Sequence, residues 1–268
     1  MAGNTKALRQ RIKSVTSTLQ LTKAMGLVAS SKIRRANENM ASAREYTKAL
    51  DRIIASLSGD KDCEKSVYMR NNGADRTRII VIAGDRGLAG GYNANVFRLA
   101  AQYPDAEFIP VGKRACERYQ KAFVSSEKFS FTDAAQITDT LCKDFADGKF
   151  SRLGIIYTRY ISVMSQEAEI KWILPLQRQP ESESKGIVFE PDNVTVLNHM
   201  VHEYVAGIIT ACLRESFASE VAARRMAMDS AGKNAKQMID DLSLEYNRAR
   251  QGAITQEITE IVAGSGEM

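Results

Sequence analysis

The sequence predicts an α/β chain with long terminal helices: an antiparallel two-helix coiled coil made by the N- and C-terminal segments, plus a central Rossmann-like α/β domain. Three observations carry this. Residues 3–57 and 199–262 contain no proline and are rich in residues that lose little in a helix. All five prolines fall between Pro104 and Pro191. Between the proline-free ends, short apolar runs alternate with helical patterns, which is the grammar of a mostly parallel sheet.

The first helix is read over residues 1–57. Its apolar positions step through Leu8, Ile12, Val15 and Leu19, slip around Met25 and Val28, and resume at Ile33, Ala36, Met40, Ala43, Thr47, Leu50, Ile54 and Leu57. Steps alternating between three and four form a heptad seam. The slip near Gly26 predicts a local change of contacting face or a loosened supercoil. Residues 58–76 are polar and turn-rich and read as a linker. The central domain is expected over 77–192, with strands at 78–83, 107–111, 153–157 and 162–174 and helices at 94–101, 113–122 and 133–147. Residues 177–192 are read as a polar connection. The last helix is expected over 193–268, with a seam at Ala235, Ile239, Leu242, Tyr246, Ala249 and Ala253. As one helix, 199–262 would span roughly 95 Å at ~1.5 Å per residue. A helix of that length must pack against another long helix, a partner protein, or both. The simplest pairing is a thin antiparallel rod with a globular base, its Ala-rich positions keeping the helices close.

The 268 residues are 44% hydrophobic and 26% charged, as in an ordinary soluble domain. The net charge of +5 is unevenly spread. Residues 1–57 hold eleven Lys/Arg against three Asp/Glu, residues 58–198 are balanced, and residues 199–268 carry three more acids than bases. The two terminal helices are therefore complementary in sign. The four cysteines are not closely spaced, so reduced structural thiols in a cytosolic chain are expected. No apolar run is long enough to cross a bilayer, and the opening residues lack a signal-peptide core.

Chemistry-bearing motifs are few. The loop 84–91 follows a strand and precedes a helix, where a phosphate can bind. It has neither the G-x-G-x-x-G spacing nor the G-K-[ST] ending, so a tight structural turn or a partner-contact loop is the favoured reading. His199 and His202 stand one helical turn apart without an evident third metal ligand. No nucleophile elbow is present. No catalytic, cofactor-binding or metal residues are predicted. Two rival classes stay open at this point. A basic coiled coil could bind nucleic acid, with affinity falling steeply in salt. A nucleotide-binding α/β enzyme would bind or turn over its substrate as an isolated chain.

Resemblance adds what spacing does not supply. The stretches Arg11-Ile12-Lys13-Ser14-Val15 and Leu21 to Arg35, the loop Asp85 to Asn93, the run Met164-Ser165-Gln166 and the close Ser219 to Val262 resemble the gamma subunit of bacterial F-type ATP synthases, in that family's order. The resemblance implies a central-stalk rotor that couples ion flow through the membrane ring to ATP synthesis or hydrolysis at the alpha/beta ring. It implies partners (the alpha, beta and epsilon subunits and the membrane c-ring), no nucleic acid, no cofactor and no catalytic residues of its own. The implied location is peripheral, on the cytoplasmic face of the bacterial plasma membrane. By position, beta-subunit contacts are expected at Lys23, Met25, Arg86, Ala89, Arg250, Gln251 and Thr255. Contacts to epsilon and the ring are expected at Phe189 and Glu190, and an apolar sleeve around Ile258, Ile261 and Val262. Ala89 stands where many members have cysteine, which argues against a thiol role there.

Overall fold

A computed structural model describes residues 2–178 and 189–265; most of the connection expected over 177–192 lies outside the described residues. The elements run α1 (Ala2–Gly59), a short 3-10 turn (Asp62–Lys65), β1 (Thr77–Ile82), α2 (Tyr92–Ala100), β2 (Glu107–Val111), α3 (Lys113–Tyr119), α4 (Phe131–Ala146), β3 (Arg152–Tyr160), β4 (Gln166–Leu174) and α5 (Asn193–Ser265). The two long terminal helices flank a central mixed α/β domain, as the sequence predicts. Strand order is β2-β1-β3-β4, with β1 parallel to both β2 and β3 and β4 antiparallel to β3. Three boundaries shift for local reasons. Helix α3 stops at Tyr119, short of 122, because Gln120 turns left-handed (φ +53) and caps it. Helix α4 begins two residues early, where Ser130 and Asp133 form a capping box. Strand β4 begins at Gln166 rather than 162, since residues 162–165 close a turn held by Ser162.

The chain forms two compact units: 1–29 with 225–268, and 30–224. In the first, α1 and α5 pair antiparallel. Gly26 lies against Met228, and Gly232 lies against Thr22 and Leu19. The expected slip does not occur here. The seam runs on through Leu19, Thr22, Gly26 and Ala29, with Thr22 and Ala29 buried and Val28 left 55% exposed. A hydroxyl and a glycine occupy seam positions that hydrophobicity alone misses. Thr22 is admitted because its hydroxyl donates to the Leu19 carbonyl at 2.9 Å. On α5 the predicted seam holds: Ala235 and Leu242 are buried, and Ile239, Tyr246, Ala249 and Ala253 are half-buried.

In the second unit the alternating side chains of β1 divide two cores. Ile79 and Val81 pack with Val96 and Ala100 of α2. Ile80 and Ile82 pack with Leu141 and Phe145 of α4, Ile54 and Leu57 of α1, and the α5 face of Leu197, Val201 and Ile208. The helices are antiparallel here too. Asn193 bonds Asp60, Arg44 pairs with Glu215 at 2.7 Å, and Ala36 and Met40 pack on Ala218.

The second unit is tied together at one free edge. Strand β1 accompanies β3 only to Ile156. Beyond that, side chains satisfy the open backbone. Thr158 N–H donates to Ser216 Oγ at 3.0 Å, and Ser219 Oγ donates to the Thr158 carbonyl at 3.0 Å. Tyr160 N–H donates to Glu215 at 3.0 Å, and Arg44 donates to the Tyr160 carbonyl at 3.2 Å. An uncovered edge would leave these groups to pair elsewhere. The turn from β2 into α3 is equally constrained. Gly112 has φ +94, and a Cβ there would stand 1.8 Å from the Ala83 carbonyl oxygen, so only glycine fits. Gly112→Ala should therefore destabilise the fold by ~3 kcal/mol or more, because backbone rather than a side-chain tip must give way. A thermal melt checks this; a melting point within a degree or two of the parent would show that the turn relaxes freely.

Candidate partner-contact site

The loop between β1 and α2, residues 83–91, is built on a polar floor. The Asp85 carboxylate accepts four hydrogen bonds: from Ser125 Oγ at 2.6 Å and from the backbone N–H groups of Lys113, Ser126 and Glu127 at 3.0, 3.0 and 3.2 Å. Burial pushes its pKa up, but those donors outweigh burial and hold it below the ordinary carboxylate value. The Gly84 N–H donates to Asn93 Oδ1 at 2.9 Å.

From the other side, α5 reaches in. Arg224, 13% exposed, donates to Glu220 at 2.5 Å and to the carbonyls of Gly87 (3.2 and 3.3 Å) and Arg86 (3.5 Å). Glu220 is 4% exposed. Burial raises its pKa, while the Arg224 charge works against that rise. A Cβ at Gly84 would lie 2.8 Å from the Glu220 carboxyl carbon, so the glycine makes room for the acid. With Asp85 and Glu220 both at its floor, the loop offers a phosphate two carboxylates instead of a cradle of free N–H groups. Its glycines serve close packing.

The predicted contact residues fare differently. Lys23, Arg86, Arg250, Gln251 and Thr255 are exposed, and Met25 is half-buried. Ala249 and Ala253 are half-buried beside Arg250, Gln251 and Thr255, so the polar trio stands off the seam as its 100° spacing requires. Ala89 is 2% exposed, so its side chain does not reach the surface. Its neighbour Leu88 does, at 62% exposed and in a left-handed conformation with φ +60. Phe189 packs partly buried on the main core, while Glu190 is exposed. Ile258, Ile261 and Val262 are 56%, 70% and 63% exposed near the end of α5, interleaved with Glu257, Thr259 and Glu260.

His202 lies 3.3 Å from the Tyr68 hydroxyl and 3.1 Å from Asp139, which bridges α5 to α4 and the linker. Among the described residues no group of three or more His, Cys, Asp or Glu could hold a metal, and no helix is long and apolar enough to cross a membrane. The four cysteines are free and buried; burial pushes Cys63 up to about 11 and Cys142 and Cys212 up to about 12. The thiols of Cys63, Cys142 and Cys212 therefore stay protonated and unreactive.

Sequence reasoning missed Leu88, Glu220 and Arg224. The available signal was an acid and a base four apart among Ala218, Val221 and Ala222, on a face otherwise small and apolar.

Asp85 gives a pH test with a defined sign. Its folded pKa is depressed, so its contribution is present above the unfolded value of about 3.9 and is lost as pH falls through the folded value. NMR amide shifts of Lys113, Ser126 and Glu127 should move together only in that acid range. In Asp85→Asn that titration should vanish and the loop should already be loosened at neutral pH; an unchanged acid titration would assign it to another group.

A family model described as ATP synthase matches residues 4–266. The chain is 39% identical over 280 residues to the ATP synthase gamma chain of Ruminococcus albus, with 98% of each covered. It is 35% identical to the sodium ion specific ATP synthase gamma chain of Acetobacterium woodii, with 99% of each covered. In solved structures it is similar in fold to a chain of the Euglena gracilis mitochondrial ATP synthase, in an OSCP/F1/c-ring assembly (TM-score 0.74, 20% identity, 100% of this chain and 95% of that one). With the whole length matched, at these identities and in one architecture, the chain belongs to the family of ATP synthase gamma chains.

Proposed function

We propose that this chain is the central-stalk rotor of an F-type ATP synthase, turning within an alpha/beta ring and standing with epsilon on the membrane c-ring. It carries no catalytic residues of its own; ATP chemistry belongs to the beta subunits. The observation that carries the reading is the end of α5. Arg250, Gln251 and Thr255 are exposed along one side, and beyond them Ile258, Ile261 and Val262 are exposed and apolar. Exposed apolar side chains near a helix end, with a polar collar, call for a surrounding protein surface that is apolar at the top and acidic just below.

The mechanism is mechanical. A single asymmetric shaft inside a ring of repeated subunits touches each beta subunit differently. Each contact favours one conformation of the beta site over another, so each site's nucleotide affinity follows the rotor angle. Lys23, Met25, Arg86, Arg250, Gln251 and Thr255 are the contacts on this chain, with Leu88 taking the place of Ala89. Glu190, with Phe189 beside it, faces epsilon and the ring. The complex is peripheral, on the cytoplasmic face of a bacterial plasma membrane.

An Arg250-to-carboxylate contact is charge-assisted and contributes ~1.5–3 kcal/mol in the rotor orientation where it forms. Because these side chains are exposed in the free subunit, Arg250→Ala with Gln251→Ala should leave the subunit's melting temperature and complex assembly near normal. ATP turnover and ion pumping per assembled complex should fall. Unchanged turnover would return the pair to an ordinary solvated face, and a large drop in melting temperature would place them in the core.

A further inference from the structure

We propose that Leu88 is the side chain through which the 83–91 loop engages its partner, and that Arg224 and Glu220 are positioning residues that hold it out. This rests on the rotor reading above and adds residues to it. Leu88 combines two unfavourable features. A leucine in the left-handed region is strained, and its side chain stands 62% exposed. Such a conformation persists only where the surroundings over-determine it.

Here they do so on both sides. Before Leu88, Asp85 is pinned by its four donors, and the carbonyls of Arg86 and Gly87 are held by the Arg224 guanidinium. After it, Ala89 is buried and its carbonyl accepts from Tyr92 N–H at 3.2 Å. Arg224 cannot swing away, because Glu220 anchors it from within the core. The loop is thus locked, with one apolar side chain projecting.

The setting of Leu88 fixes the partner's chemistry. Arg86, Lys113 and Arg114 have side chains 69%, 57% and 47% exposed. Of the nearby acids, Asp85 and Glu220 are consumed inside the loop. Glu127 is held between Lys32 and Arg86, and Glu117 lies against Lys113 and Arg114. An apolar point within a cationic rim fits an acidic segment of a ring subunit that offers an apolar seat between its carboxylates.

The test uses the assembled complex with the parent chain, Leu88→Ala, Arg224→Gln and the double variant. ATP turnover and pumping are measured per complex, with amide exchange over residues 84–91. Leu88→Ala should assemble and melt like the parent yet lose turnover roughly three- to tenfold. Arg224→Gln should speed loop exchange and lose turnover comparably. The double variant should be no worse than Arg224→Gln alone, because a released Leu88 has nothing left to contribute. Parent-like turnover in Leu88→Ala, a lowered melting point in that variant, parent-like exchange or turnover in Arg224→Gln, or multiplied losses in the double variant would each overturn the proposal. Failure of the parent chain itself to assemble with alpha and beta subunits would overturn the rotor reading instead.

Discussion

The second unit depends on how α5 treats the open edge of β3. Past Ile156 that strand has no strand neighbour on the β1 side among the described residues, and Glu215, Ser216 and Ser219 of α5 stand in for one. Each neutral bond contributes ~0.5–1.5 kcal/mol and those to Glu215 ~1.5–3, but leaving the groups buried and unpaired would cost more than the bonds give. Polar satisfaction therefore fixes helix against sheet to within the tolerance of a hydrogen bond. Apolar packing alone would allow sliding. Arg44 joins α1 to the same point by bonding both Glu215 and the Tyr160 carbonyl.

One further turn along α5 the same device is used again. Glu220 and Arg224 extend from the face that carries Ser216 and Ser219, and they grip the loop after β1. Ten residues of one helix thus secure the end of a strand and the conformation of a loop. Side-chain hydrogen bonds to backbone hold helix, strand end and loop in one fixed arrangement within this unit. The buried pair has a positional role beyond its own ion pair, because Arg224 also binds the Gly87 and Arg86 carbonyls, which an apolar side chain would not.

Much of this was legible in the sequence. The α5 seam from Ala235 to Ala253 reads directly from its three-and-four steps. The strands read from short apolar runs, and the exposed face of Arg250, Gln251 and Thr255 follows from 100° per residue. The slip expected near Met25 was misread because hydropathy does not recognise Thr22 or Gly26 as seam residues. Thr22 qualifies only because the helix offers the Leu19 carbonyl to its hydroxyl, and Gly26 because Met228 fills the space beside it.

The sequence by itself determined the helices, the strands, the pairing of the two ends and the absence of a phosphate-loop motif. These depend on periodicity and composition, which are properties of neighbouring residues. The tertiary structure decided which loop residue faces outward, Leu88 and not Ala89, and which remote residues hold it there. Exposure at a single position depends on elements more than a hundred residues away, here Glu220 and Arg224 against Gly84 and Gly87. No local pattern encodes that distance, because it is set by where α5 lands on the edge of β3.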